Sequence, residues 1–315
     1  MSVSGAWPEL PPGPELRATS DTLQLWTQIV GKVMLARRPW INHSWHVTLR
    51  VSARGLITPL IPNGATTFSI EFDIVAQELV IRVSDGGERR ILLQAESMAW
   101  FYGEVMEALA QLGAPTTIEP LPSELPDPIV PFPDDVKPRA YNPAVALAYW
   151  RALVQAERVF TRFRFCFLGK VSPIHLFWGG FDLAVTRFSG RPAPLHPGGF
   201  PHLPDAVTRE AYSHEVSSAG FWPGSEGLEP SFYSYAYPTP DGFGSAPVEP
   251  ATARFDAILG EFLLPYEAVR TAPDPDAAIM AFLQSTYAAA ADLAHWDRAS
   301  LECGEGQIGR PRAVG

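Results

Sequence analysis

The chain has 315 residues, 46% hydrophobic and 11% aromatic, enough to bury a large core and to exclude disorder of the whole. A formal net charge of −10, with lysine only at Lys32, Lys137 and Lys170, repels a phosphate backbone on average and argues against nucleic acid as a partner. No apolar run reaches the roughly 20 residues that span a bilayer, and the N-terminal MSVSGAWPELPPGPEL lacks a signal peptide's basic and apolar blocks, so a cytoplasmic protein without membrane partners is expected.

Residues 1–19 hold several prolines and no apolar period, which reads as an irregular lead-in. Ser20 and Asp21 have the chemistry of a helix N-cap, and Leu23, Trp26, Ile29, Val30 and Val33 follow at helical spacing up to Arg38, before Pro39. From Trp45 the period drops to two. Residues 46–51 and 68–74 alternate like half-buried strands, and residues 79–83 and 90–93 flank Asp85-Gly86-Gly87, which suits a hairpin turn. A second helix is expected over 97–112, ended by Gly113 and Pro115.

Residues 120–143 contain eight prolines, too many for a regular helix or a central strand, and read as a stiff connection lying against the surface. Beyond it the spacing predicts a long helix over 143–165, strands in 172–188, 214–222, 231–237 and 261–269, and an Ala-rich closing helix over 276–296. Cys166 and Cys303 show no placement that suggests a bridge, in keeping with a reducing compartment.

The expected fold class is α+β. Two similar halves, residues 1–119 and 144–315, each run helix, antiparallel strands, helix, and pack as one compact unit around the 120–143 connection. The repeated order suggests an internal duplication, with a long loop insertion at 188–213 in the second half.

Six of the seven histidines fall in two tracts crowded with aromatic residues: His43 and His46 in NHSWH, and His175, His196, His202 and His214 from HLFWGG to SHEV. Imidazoles bind metals or move protons near neutral pH, so the tracts mark a candidate site. If Gly179-Gly180 turns a hairpin, Phe177 pairs with Asp182 and His175 with Ala184, which puts imidazole and carboxylate on one face. Alternatively, His175 is a core residue and Asp182 pairs with an arginine such as Arg187.

His175, His214, Asp182 and His46 are the candidate catalytic groups, and His43, His46, His175 and His214 the candidate ligands for a divalent metal, with His196 and His202 ranked below them as loop residues. Arg187 and Arg191 suit an acidic small molecule, given the bidentate geometry of guanidinium, or else structural ion pairs. Trp45, Trp178 and Trp222 would exclude water around such a ligand. Tyr233, Tyr235 and Tyr237 share one strand face, where they wall a pocket or cover a core. Phosphate-cradling, dinucleotide-binding, zinc-protease, nucleophile-elbow and paired-cysteine motifs are absent from the sequence.

HLFWGGFDLAVTRFSGRPAP, with AYSHEVSSAGFWPG and NHSWHVTL, resembles a bacterial family of uncharacterised proteins, domain of unknown function 5996, over about residues 7–293. That resemblance implies no activity, cofactor or catalytic residue. The residues themselves are compatible with a small-molecule enzyme whose His-rich pocket is lined by Trp and Arg. A non-catalytic small-molecule-binding module and a structural or complex-forming protein are the alternatives.

Overall fold

Pro12 and Pro14 start a helix here, because the first helical turn has no use for the N–H that proline lacks. In the computed structural model, which describes residues 6–312, helix α1 spans Gly13–Arg37, with Glu15 favourably placed in its first turn. Ser20 lies inside this helix and donates to Arg17 O at 3.3 Å, so the cap expected at Ser20-Asp21 is not one. Thr22, Leu23 and every residue from Leu25 to Met34 are buried. This helix is the central one, packing against α2 (Met98–Gln111) and α3 (Pro143–Phe165).

Strands β1 (Arg50–Val51), β2 (Gly55–Ile57), β4 (Thr66–Asp73), β5 (Glu78–Val83) and β6 (Glu88–Leu92) form an antiparallel sheet in that order, with β3 (Ile61–Asn63) paired to β4. Phe68, Ile70 and Phe72 on one face of β4 are fully buried, while Glu71 on the other face pairs with Arg82 at 2.9 Å. One covered face and one charged face account for the alternation seen in the sequence. The alternation at residues 46–51 has a different origin. His46, Val47, Thr48 and Leu49 are all buried, and residues Asn42–Val47 form a 3-10 turn with His43 and Ser44 at positive φ. The expected strand shrinks to β1.

In the second half β7 (His175–Phe177), β8 (Asp182–Pro192), β9 (His214–Trp222), β10 (Ser231–Tyr237), β12 (Glu261–Pro265) and β11 (Arg254–Asp256) lie side by side in that order, all antiparallel. The β7–β8 hairpin has the register anticipated from Gly179-Gly180, His175 opposite Ala184 and Phe177 opposite Asp182. The 188–213 insertion is partly regular: β8 reaches Pro192, and α4 covers Asp205–Ala211. Residues beyond Pro265 turn into α5 (Tyr266–Arg270) instead of continuing the strand. Helix α6 (Pro275–Leu293) packs on α3, and a short α7 (Arg298–Leu301) follows.

Both halves therefore read helix, five-strand meander, helix: α1, β1-β2-β4-β5-β6, α2 and α3, β7-β8-β9-β10-β12, α6. Leu49, just before β1, and Leu176, the middle residue of β7, exchange two main-chain hydrogen bonds of 3.0 and 2.9 Å as an antiparallel pair that joins the two halves.

α1 holds the connection and the hairpin through its polar residues. Thr22 donates to Ala140 O at 2.7 Å, Gln24 to Gly179 O at 2.5 Å, and Arg37 to Thr116 and Pro115 O at 2.6 Å each. Trp178 lies directly on Gly31, where a Cβ would meet the indole Nε1 at 2.2 Å. In an exposed helix Gly→Ala stabilises by about 1 kcal/mol. Gly31→Ala is expected instead to cost about 1–3 kcal/mol through overpacking, read as a lower urea midpoint at unchanged slope.

Candidate functional site

Between the two halves lies a cavity of about 870 Å³. Its floor is one face of the second sheet. Asp182, Ala184, Thr186 and Phe188 from β8, Val216 and Ser218 from β9, and Tyr233 and Tyr235 from β10 all line it, as the two-residue period requires. Thr186 sits opposite Ser218, and Ser218 opposite Tyr235; the Thr186 and Ser218 hydroxyls lie 2.8 Å apart. The Tyr235 hydroxyl is 2.8 Å from that of Tyr212, and Tyr233 donates to the Asp182 carboxylate. The pocket-wall reading of Tyr233 and Tyr235 is the one that applies, while Tyr237 donates to Pro194 O outside the cavity at 3.1 Å.

The opposite wall comes from the proline-rich connection. Ser123 is clamped to α1: its N–H donates to Gln28 Oε1 at 2.7 Å, its carbonyl accepts from Gln28 Nε2 at 2.9 Å, and its hydroxyl accepts from Lys32 Nζ at 2.9 Å. The next residue, Glu124, has φ +61° and donates its N–H to Pro201 O at 2.9 Å. Its carboxylate rests on Gly179, where a Cβ would stand 1.9 Å from Oε1, so any larger residue there would displace the carboxylate. Trp40, Trp45, Phe177, Trp178, Phe200 and Val207 supply most of the apolar wall.

Asp182 and Glu124 are enclosed by protein yet open onto the cavity. Burial pushes the Asp182 carboxyl up to about 6, against the lowering effect of the Tyr233 hydrogen bond. Burial, and then the charge of Asp182, push Glu124 up to about 7, with Lys32 opposing. Glu261, on β12 beside Tyr235, is raised to about 7 by burial and by Asp182. Burial lowers Lys32, opposed by Glu119 and Glu124.

The histidines do not assemble. His43 lines the cavity, but both ring nitrogens are engaged, Nδ1 with Ala211 O at 2.7 Å and Nε2 with Lys170 Nζ at 2.5 Å, and burial lowers its pKa. Its ring centroid lies 6.4 Å from that of His214, whose Nδ1 is 3.1 Å from Ser213 Oγ. His46 accepts from Ile41 N at 3.3 Å through Nδ1 and stacks near Trp40. His175 is fully buried between Trp45 and Phe177, off the cavity, and burial drives it down to about 3. Among the described residues no three His, Cys, Asp or Glu side chains converge to hold a metal ion. The one close pair of histidine rings among the described residues, His43 and His214, joins one member of each tract and no neighbours within a tract.

The arginines also point elsewhere. Arg187 alternates with Thr186 and so faces α3 and α6, its guanidinium carbon 3.5 Å from the Phe163 ring centroid and 4.4 Å from that of Tyr287. It donates to Phe163 O. Arg191 pairs with Glu215 at 2.7 Å and donates to Ala294 O and His295 O at the end of α6. Trp222 does not line the cavity, whereas Trp45 and Trp178 do. The groups that sequence reasoning missed are Lys32, Glu124, Thr186, Tyr212 and Ser218. Lys32 carried a signal, a lone lysine inside the apolar run from Ile29 to Met34; Glu124 carried none.

Asp182 has a measurable signature. Its folded value of about 6 lies above its unfolded 3.8, so the stability it lends is complete below pH 3.8 and lost above about 6. Asp182→Asn is therefore expected to stabilise the chain at about pH 8 by up to about 3 kcal/mol, and by much less at about pH 4, in paired urea titrations.

No curated protein and no solved structure matches the chain. No helix among the described residues is long and apolar enough to cross a membrane. The model of a family of unknown function, DUF5996, matches residues 7–303, nearly the whole chain, and the protein belongs to that family.

Proposed function

We propose that the protein binds a small organic molecule in the cavity between its halves, the aromatic walls taking the ligand's body and the Asp182–Tyr233 end its polar head. What carries this reading is the combination of a large apolar-walled cavity with a few convergent polar groups at one end. A structural role for the same residues would leave no reason to keep hydroxyl and carboxyl groups facing an opening instead of packing it shut.

The ligand's head is not expected to be a carboxylate or phosphate held by Arg187 and Arg191, since both arginines are bound outside the cavity. A second reading, proton transfer on the bound molecule, is favoured by carboxyl groups raised to about 6 and about 7, suited to acid and base work near neutrality. Incorporation of solvent deuterium into a bound ligand, abolished in Asp182→Asn with binding retained, separates catalysis from binding alone.

Indole tests the first reading. Calorimetry is expected to give one site with Kd between about 0.05 and 1 mM, within the range open to so few heavy atoms. Val207→Phe, which fills the cavity from helix α4, is expected to weaken it by about tenfold or more. No indole uptake, or uptake indifferent to Val207→Phe, would sink the proposal.

A further inference from the structure

Two carboxylates of the cavity lining, Asp182 and Glu124, have no cationic partner among the described residues. Asp182 has the Tyr233 hydroxyl as its one side-chain hydrogen-bond partner among the described residues, and the Glu124 carboxylate has none. Neither forms an ion pair with any described Arg, Lys or His. Other acids are paired with guanidinium, Asp73 with Arg54, Asp276 with Arg158 and Asp135 with Arg139, while Glu261, close enough to Asp182 to feel its charge, is in none of the ion pairs among the described residues. A carboxylate withdrawn from water and left alone is costly, and is otherwise met as half of a pair.

We propose that the missing half is a protonated amine on the ligand, with the ammonium seated between Asp182 and Glu124 and its aromatic body against Phe177 and Trp178. This rests on the cavity-binding reading above.

Three features support an organic cation over an anion. Counting the ionisable lining, Glu119, Glu124 and Asp182 oppose Lys32, so the cavity's own field is negative once the acids ionise. Lys32 does not fill the gap: its ammonium donates to Ser123 and lies 5.8 Å from the Trp178 ring centroid. The remaining lining near the floor is aromatic face and hydroxyl, with Tyr233 and Tyr235 stacked at 6.1 Å, a surface that attracts a cation and offers acceptors to its N–H groups. Adjacent glycines position both acids, since Glu124 packs on Gly179 and Asp182 Oδ1 lies 2.9 Å from where a Gly180 Cβ would be.

The charged and titratable groups facing the two acids are Tyr233 and Tyr235 from β10, Tyr212 at the end of α4, Glu261 from β12, Tyr149 from α3, Lys32 from α1, and Glu119 and His202 from the loops. An amine stays protonated across neutral pH, so affinity should follow ionisation of the carboxyls and rise with pH. Asp182 and Glu261 oppose one another's ionisation, Asp182 also opposes that of Glu124, and Lys32 helps Glu124.

Tryptamine, its neutral isostere tryptophol, and indole-3-acetate share one ring system and differ in head charge. At about pH 8, tryptamine is expected to bind about tenfold or more tighter than tryptophol, the scale of a charge-assisted hydrogen bond, with the acetate weakest. Its affinity should fall about tenfold or more towards about pH 5. Asp182→Asn and Glu124→Gln should each shrink the preference to about threefold or less, with far-UV circular dichroism matching that of the parent chain to show that the variants fold. Tryptophol or indole-3-acetate binding as tightly as tryptamine overturns the inference and leaves cavity binding standing. So does a preference that survives both substitutions, or tryptamine binding untouched by Val207→Phe. Failure of indole and of all three probes to bind overturns both proposals.

Discussion

The structure depends on one helix being buried with polar side chains on it. α1 is enclosed along most of its length, and a buried helix of this kind is ordinarily apolar all round. Thr22, Gln24, Gln28 and Lys32 break that pattern, and each must find a partner away from water. They find them in segments that cannot satisfy themselves: the proline-rich connection, short of donors, and the glycine turn between β7 and β8. The helix thereby serves as a ruler against which irregular backbone is set. Ser123 is fixed by three hydrogen bonds to Gln28 and Lys32, and this is what delivers Glu124 to the cavity.

The two sheets show what a shared plan can become. In the first half one face packs on apolar side chains and the other presents a ladder of Arg and Glu to solvent. In the second half both faces are covered, one by α3 and α6 and the other by the cavity. The positions that face outward in the first sheet have no counterpart in charge here. They carry hydroxyls and one aspartate among Ala184, Phe188 and Val216, which suits a surface that is sheltered but not filled.

The order of elements, the fold class and the β7–β8 register were legible because they rest on local rules. Two glycines after an apolar run fix a hairpin, and Asn142-Pro143 starts a helix, with the asparagine side chain capping Ala144 N. Strand parity was legible too, though easily passed over: Arg187 is an odd number of residues from Asp182, so the two could not share a face. The histidine tracts misled because adjacency in sequence says nothing about side-chain direction across a 3-10 turn with two residues at positive φ. Glu124 was illegible for a plainer reason. Its position depends on contacts with residues 95 and 91 places away in sequence, made by its neighbour Ser123, and on the Pro201 carbonyl.

That last hydrogen bond, Glu124 N–H to Pro201 O, ties the cavity wall to the loop between β8 and α4. The floor residues are held in a sheet, where any change propagates through paired strands. The loop carries no such constraint, and insertion or substitution there is cheap. Under the proposed binding role, a change of ligand preference would have an inexpensive route: altered loop sequences could re-aim one carboxyl group while the strands beneath stay the same. The scaffold and the selectivity of this chain would evolve on separate clocks.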